Sequence, residues 1–342
     1  MGLSATELAE APVGAAEAPE GKKLAGRSPT QIAFDRLKKD KMAIVCTVIV
    51  GLMVLAAIFA PWICKALNIY PTVESMPYQS SDVLEFGGPN NGMPINGPPN
   101  HGFWAAHPLG LAPTTGVDNL ARLLYGLRTD LLIATIATVL SIGIGIVLGL
   151  IAGYSHGWLD RVIMFITDLF LSFPFLLGAL AMAPILVERF GKGNDLARLY
   201  RVQFIALVAI LTIFGWMGMT RLIRGQVLSL REREFVQAAQ VLGLPTRRIL
   251  FKELLPNLVA PIVVATSLAL PGLITAEAGL SYLGIGINGY PSLGQTIADA
   301  QQWWDQYPLY LWAPVLTISI LVVSLNLLGD SIRDAFDPKT RR

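Results

Sequence analysis

Residues 131–153 read LLIATIATVLSIGIGIVLGLIAG, a run of twenty-three residues without one charged side chain. A bilayer core of about 30 Å is crossed by about 20 residues of α-helix. Because backbone polar groups in lipid must find their hydrogen bonds within the segment, such a run predicts a transmembrane helix.

Five more stretches of the chain have the same character. They lie at residues 42–63, 162–187, 203–220, 257–277 and 309–329. The alternating ten-residue strands of a membrane barrel are absent from the sequence. The six runs together predict an all-α polytopic membrane protein with six transmembrane helices.

The overall composition agrees with this class. Of the 342 residues, 53% are hydrophobic and only 15% are charged, whereas a soluble domain has about 25% charged residues. The formal net charge is only +2, which argues against nucleic acid as a partner. A chain of this composition is expected to be surrounded by membrane lipid.

The distribution of basic residues predicts the orientation. If the N-terminus is cytoplasmic, 19 of the 26 Lys and Arg residues fall in segments on the cytoplasmic side. Cytoplasmic loops carry an excess of these residues. We therefore expect both termini inside the cell.

The same pattern divides the chain into four parts. We expect a disordered tail, an interfacial helix with the first transmembrane helix, an outer loop, and a membrane core, at residues 1–27, 28–63, 64–119 and 120–342. A basic flank without a helix is an equal alternative for the interfacial segment. The outer loop contains a Gly/Pro/Asn-rich tract at residues 87–102, which favours a tolerated insertion over a functional loop.

Signatures of catalysis are absent from the sequence. There is no phosphate-binding Gly-x4-Gly-Lys-Ser/Thr loop, no His-Glu-x-x-His and no Gly-x-Ser-x-Gly. The three histidines lack partners at metal-ligand spacing. We therefore expect neither catalytic residues nor a metal centre.

The cytoplasmic loop at residues 221–257 is the most informative segment. Its first half, REREFVQAAQVL at residues 231–242, predicts a helix that ends at Gly243, with Pro245 just beyond. A second helix follows from Arg247, and Pro256 leads into the next span. We expect Gly243 to adopt a positive φ angle. An ordinary amphipathic connector is the alternative.

This loop resembles the EAA loop of bacterial ABC-importer permeases. In that family the loop forms a coupling helix that docks into a groove of a cytoplasmic ATPase. The resemblance assigns this role to seven residues here: Glu234, Gln237, Ala238, Ala239, Gly243, Leu255 and Pro256. Two positions depart from the family pattern, since Gln237 replaces its leading Glu and Glu253 its usual Ile.

The resemblance extends well beyond this loop. Over residues 105–338 the chain is similar to the dipeptide, oligopeptide and nickel permeases. It rests on motifs in the same order, among them His107-Pro108-Leu109-Gly110, Gly153-Tyr154, Pro291-Ser292-Leu293-Gly294 and Gly329-Asp330. The segment after Gly110 departs from the family form. These importers contain two homologous permeases. The N-terminal segment before the first span resembles that of the C-type member of the two.

The family resemblance implies a function and a set of partners. It implies the type I importer architecture in a bacterial inner membrane, with this chain forming half of a translocation pathway. The partners would be a homologous second permease, two ABC ATPases that carry the ATP and Mg, and a periplasmic or lipid-anchored substrate-binding protein. No cofactor is expected on this chain, and the chain itself is not expected to be an enzyme.

Two acidic residues fall within the predicted spans, where charge is costly and usually faces the interior or water. Asp168 is interpreted as a structural partner of Arg161. Glu277, with Ser281 and Tyr282, is a possible pathway lining or outer gate. A role of Glu277 in capping a helix of the outer loop is an equal alternative.

Aromatic residues crowd the entrance to the last span. They are Trp303, Trp304, Tyr307, Tyr310 and Trp312. An interfacial belt is the favoured interpretation, with a gate or a dock for a binding protein as the alternative.

Two other classes of function stay open at this point. A stand-alone secondary transporter or channel would carry inverted repeats or several mid-membrane ionisable groups, and neither is clear here. A membrane-anchored scaffold would not need the two-helix loop.

Overall fold

The computed structural model describes residues 29–88, 90–100, 102–191 and 195–337. The tail predicted over residues 1–27 lies outside these residues. Helices dominate the described part, as predicted, and its only β pairing is two isolated bridges in the outer loop.

Thirteen α-helices run through the described residues. They are α1 (Pro29–Leu37), α2 (Lys41–Leu67), α3 (Ser80–Val83), α4 (Asn119–Tyr154), α5 (Trp158–Ser172), α6 (Phe175–Phe190), α7 (Leu196–Ile213), α8 (Met217–Leu230), α9 (Glu234–Val241), α10 (Thr246–Arg248), α11 (Val259–Tyr282), α12 (Leu293–Ala300) and α13 (Pro308–Phe336). A π-helical turn at Ile249–Leu254 and a 3₁₀ turn at Leu255–Leu258 join α10 to α11.

Five helical segments within the described residues are long and apolar enough to cross a membrane. They are α2, α4, α7 with α8 (Leu196–Leu230), the segment Thr246–Tyr282 and α13. A sixth span is obtained when the bent pair α5 and α6 is counted as one. The six predicted apolar stretches therefore all lie in helices of this set.

The third predicted span is not one straight helix. The chain turns by 90° between α5 and α6, where residues 162–187 were expected to run straight. Pro174 has no N–H to continue the helix and disfavours the helical conformation at Phe173. Phe173 is accordingly extended, with φ −84° and ψ 126°.

The fourth predicted span was placed too short. Its helix reaches from Leu196 to Leu230 with a break between α7 and α8, whereas residues 203–220 were expected. The first ten residues of the predicted loop at 221–257 therefore belong to α8. The basic residues Arg221 and Arg224 made this part look like a loop, but acidic partners on α5 neutralise both of them.

Helices α4 and α8 meet along a row of glycines. A Cβ atom at Gly145, Gly149 or Gly153 would lie 2.6–2.7 Å from the Cβ atom of Met219, Ile223 or Val227, respectively. Such distances are too short for any side chain, so the two backbones are in direct contact. Small residues at this spacing allow such a close approach between membrane helices.

Both ends of the described chain lie on the same side of the helix bundle. The Nη1 atom of Arg36 on α1 donates hydrogen bonds to the carbonyl oxygens of Ala335 and Asp337, at 3.1 and 3.0 Å. A hydrogen bond from Ser331 also holds the pKa of Asp40 below its ordinary value. Helix α1 and the C-terminal end of α13 thus pack together, as two termini on one face require.

Cysteine labelling tests on which side of the membrane this face of the bundle lies. Asn288 and Gln240 are both exposed, in the loop between α11 and α12 and in the cytoplasmic loop respectively, and the native Cys46 and Cys64 are buried. We expect a membrane-impermeant maleimide added to intact cells to label Asn288→Cys and to spare Gln240→Cys. The opposite pattern would reverse the topology.

The outer loop is held against the last helix by buried polar contacts. Nδ1 of His107 lies 2.6 Å from Oδ2 of Asp118, which also caps α4. The hydroxyl of Tyr307 donates to the carbonyl of Leu109 at 2.7 Å and accepts from Asn119 at 3.2 Å. The His-Pro-Leu-Gly motif therefore fastens the loop to the start of α4 and α13.

The aromatic group around the start of α13 has buried and exposed members. Tyr307 and Tyr310 are buried, so the belt interpretation is wrong for them. Tyr310 accepts a hydrogen bond from Arg122, whose other guanidinium nitrogen reaches Asp299. Trp304 and Trp312 are exposed, as an interfacial belt requires.

Candidate functional site: the coupling loop

The first helix of the cytoplasmic loop ends where the sequence predicts. Helix α9 is followed by Gly243 with φ 72°, so the expected positive φ is confirmed. The amides of Leu244 and Gly243 donate to the carbonyls of Ala239 and Gln240, at 3.1 and 2.9 Å. This is the bonding that closes a helix at a left-handed glycine.

One face of α9 is built into the membrane core. Val236 and Ala239, three residues apart, are both buried. The apolar cluster that they join draws on α4, α8 and the turns before α11, with Leu150, Ile223, Val227, Ile249, Leu250, Leu254 and Leu258 among its members. The short helix α9 is therefore positioned by the same residues that join α4 to α8.

The opposite face of α9 is open to solvent. Glu234, Gln237 and Ala238 are exposed. The apolar side chains of Val241 and Leu242 are 88% and 78% exposed. An apolar pair with this exposure, at the tip of a loop, is a candidate contact surface for another protein.

Two details of the sequence interpretation need correction. Ala238 and Ala239 were assigned to coupling together, but Ala239 packs inward and of the two only Ala238 is exposed. The most exposed apolar residues, Val241 and Leu242, were not singled out. The signal was present in the sequence, since this pair directly precedes a helix-ending glycine and Val241 falls off the i, i+3 stripe of Val236 and Ala239.

Hydrogen bonds attach the loop to the end of α4. Arg231 donates from Nη1 to the carbonyl of Gly153 at 3.3 Å, and Gln240 donates from Nε2 to the hydroxyl of Tyr154 at 3.3 Å. These bonds give the motif Gly153-Tyr154 a structural role. Of the two bonds, the one from Gln240 joins α9 itself to α4.

Ion pairs attach α8 to α5 on the same side. Asp160 accepts two hydrogen bonds from Arg224, at 2.6 and 2.7 Å. Asp168 pairs with Arg221 at 2.5 Å. Asp168 is thus a structural partner, as interpreted, but its partner is Arg221 on another helix and not Arg161.

The remaining coupling residues lie at the start of the next span. Leu255 is half-buried and packs against the same apolar cluster as α9, whereas Pro256 is exposed. Pro256 stands in the 3₁₀ turn that leads into α11. All seven predicted coupling residues therefore lie in the α9 loop or in the turns that follow it.

The predicted pathway residues lie at the opposite end of α11. Glu277 and Ser281 are buried inside the chain, and Tyr282 is exposed and donates to Oε1 of Gln301 at 2.7 Å. Glu277 accepts a hydrogen bond from Ser281 at 2.7 Å. Of these three residues, Tyr282 is the one that reaches the surface of the chain.

A second buried acid was missed by the sequence analysis. Asp130 lies in α4 beside Glu277 and is fully buried. It fell one residue outside the predicted span, which was taken to begin at residue 131. Among the described residues, no group of three His, Cys, Asp or Glu side chains is placed to hold a metal ion.

Comparison with known proteins identifies the fold and the relatives. Two family models match the chain: the binding-protein-dependent transport system inner membrane component over residues 145–342, and the N-terminal transmembrane domain of oligopeptide transport permease C over residues 28–81. A solved structure of the MetNI methionine ABC transporter, in an inward facing conformation, shares the fold. Its TM-score is 0.51, at 21% sequence identity over 64% of this chain and 97% of that one.

Curated relatives match nearly the whole length. The dipeptide transport system permease protein DppC of Alkalihalophilus pseudofirmus is 35% identical over 92% of this chain and 91% of the relative. The oligopeptide transport system permease protein OppC of Bacillus subtilis is 32% identical over 96% of both chains. On these grounds the chain belongs to the family of inner membrane components of binding-protein-dependent transport systems, as a multi-pass ABC-transporter permease and not an ATPase.

Proposed function

We propose that this chain is one of two permease subunits of an ATP-driven importer for di- or oligopeptides or a related small solute. The relatives DppC and OppC, a dipeptide and an oligopeptide transport system permease protein, support the peptide class. The chain would form half of the pathway, and a homologous permease the other half. A periplasmic or lipid-anchored binding protein would deliver the solute from outside.

The exposed tip of α9 is the observation that carries the coupling role. It joins the apolar Val241 and Leu242 to a short helix that is anchored in the α4 and α8 core. An ATPase that covers this tip can move it, and the anchored helices then move with it. ATP and Mg belong to two such ATPase partners, and the permease alternates between inward- and outward-facing states that the ATPases bias.

The residues with the strongest case for coupling are those around this tip. Glu234, Gln237 and Ala238 would line the docking surface, and Gly243 would shape its turn. Ala239, Leu255 and Pro256 would set the position of the helix from behind. The exposure of the first three residues and the positive φ of Gly243 support this division.

For Glu277 and Ser281 we propose a structural role at the outer end of α11. Their complete burial supports this role over a direct contact with solute. Tyr282 is exposed at the same end and is the better candidate for an outer gate. The two alternative functions, a stand-alone transporter and a scaffold, give no reason for an apolar cytoplasmic tip.

Reconstitution tests the proposed function. The chain is co-expressed with the second permease and the two ATPases encoded beside it, and the complex is placed in proteoliposomes with the binding protein outside. We expect ATP inside the vesicles to drive the uptake of labelled peptide, and the omission of either ATP or the binding protein to stop it. Uptake that continues without ATP would favour a stand-alone transporter, and a complex without ATPase would favour a scaffold.

A further inference from the structure

Two buried carboxyl groups face each other between α4 and α11. Asp130 and Glu277 each have 0% exposure, and both lie against the start of α12: Asp130 bonds to Leu293, and Gly294 packs on Ala278, next to Glu277. One oxygen of each group has a donor: Oδ2 of Asp130 accepts from the amide of Leu293 at 3.2 Å, and Oε1 of Glu277 accepts from Ser281 at 2.7 Å. Three elements therefore meet at this pair, because Leu293 begins α12.

The other oxygen of each group has no donor in the described part of the chain. These atoms are Oδ1 of Asp130 and Oε2 of Glu277. An ionised carboxylate only accepts hydrogen bonds, so two facing carboxylates cannot bond to each other without a proton. Leaving both buried oxygens unbonded, and both groups charged, would be costly in a low-dielectric interior.

No cation in the described structure compensates these charges. On α4, Arg122 is occupied by Asp299 of α12 and Tyr310 of α13. Arg128 lines surface grooves that α4 forms with α2 and with α7. Within the described residues, the hydrogen-bond donors to the two acids are the Ser281 hydroxyl and the Leu293 amide.

The other titratable groups on the neighbouring helices are also directed elsewhere. Tyr282, on α11, donates to Gln301. Tyr200 of α7 donates to Glu74 in the outer loop, and Arg201 of α7 donates to the carbonyl of Ala197 and lines the surface groove with Arg128. The two unbonded carboxyl oxygens therefore need a hydrogen-bond donor, and one that is small enough to fit between them.

We infer that Asp130 and Glu277 form a proton-binding site, in which one proton lies between Oδ1 of Asp130 and Oε2 of Glu277. The bound proton turns one acid into a donor and supplies the hydrogen bond that both free oxygens lack. It joins α4 to α11 directly beneath the start of α12. The space there admits little else, since a Cβ atom at Gly294 or Gly126 would overlap or press on backbone atoms of the neighbouring segment.

Infrared spectroscopy of the purified full-length chain tests this site. A protonated carboxylic acid has a C=O stretching band that is separate from the carboxylate bands and shifts when the proton is replaced by deuterium. We expect one such band in the wild type at neutral pH. We expect it to disappear in Asp130→Asn and in Glu277→Gln, because either amide supplies the hydrogen and leaves the other acid ionised.

Thermal unfolding provides the second measurement, on Asp130→Asn and on an alanine variant of the same residue. Asp130→Asn should unfold within a few degrees of the wild type, because its amide can donate to Oε2 of Glu277. Asp130→Ala should unfold at a clearly lower temperature, because it leaves Oε2 of the Glu277 carboxylate buried and unbonded. A wild type without the band, or a band that persists in both amide variants, would overturn the proposal even if the alanine variant fails to fold.

Discussion

Replacement of both Val241 and Leu242 by serine is expected to stop ATP-driven uptake while the chain still folds and inserts. The two side chains are 88% and 78% exposed, so their loss should change the free energy of unfolding by no more than about 0.5 kcal/mol. Burying a valine or a leucine contributes about 1.5–3 kcal/mol. The loss of both should weaken the ATPase contact by about 3 kcal/mol, or about a hundredfold.

The measurement is the amount of ATPase that co-purifies with the tagged permease, together with peptide uptake. Phe103→Ser is the matched control, because this side chain is 78% exposed on the outer loop, away from the ATPase. The control should retain the full amount of ATPase. If the double variant also retains ATPase and transports at the wild-type rate, Val241 and Leu242 are not the docking surface.

Gly149→Leu is expected to prevent the correct packing of α4 on α8. A Cβ atom at this position would lie 2.7 Å from Cβ of Ile223 and 2.8 Å from the carbonyl oxygen of Thr220. Separating the two helices to admit a leucine should cost at least about 1–3 kcal/mol. We expect a lower yield of folded protein and a lower midpoint of thermal unfolding in detergent.

Gly143→Leu is the control for this prediction. Gly143 lies on the same helix, is exposed, and would have no atom within 4 Å of an added Cβ. Replacing a helical glycine by a good helix former at such a position should be neutral or stabilising by about 1 kcal/mol. Equal losses in both variants would show that α4 tolerates no leucine for reasons unrelated to α8.

The membrane helices could be predicted from the sequence, because hydropathy alone decides which segments can enter lipid. Their ends could not, because tertiary contacts compensate charges that a single-sequence interpretation treats as boundaries. Helix α4 starts at Asn119 and not at residue 131, since Arg122 is paired with Asp299 and Asp130 lies against Glu277. The bend at Pro174 was readable in principle from the proline itself.

The coupling loop was predictable as a location but less so as a surface. The glycine that ends α9 and the two-helix form follow from local rules of helix termination. The direction of each side chain depends on which face of α9 meets α8 and the turns before α11. For that reason Ala239 turned out to be buried, and Val241 and Leu242 form the exposed tip.

The attachment of α1 to the end of α13 has a consequence for the biosynthesis of the protein. A ribosome releases α1 first, yet the carbonyl groups that accept from Arg36 are 299 and 301 residues further along the chain. Throughout translation α1 therefore has no docking site, and it becomes fixed only when the last helix has been inserted. A prematurely ended chain would leave this segment loose at the membrane face, where a quality-control protease could distinguish it from the finished protein.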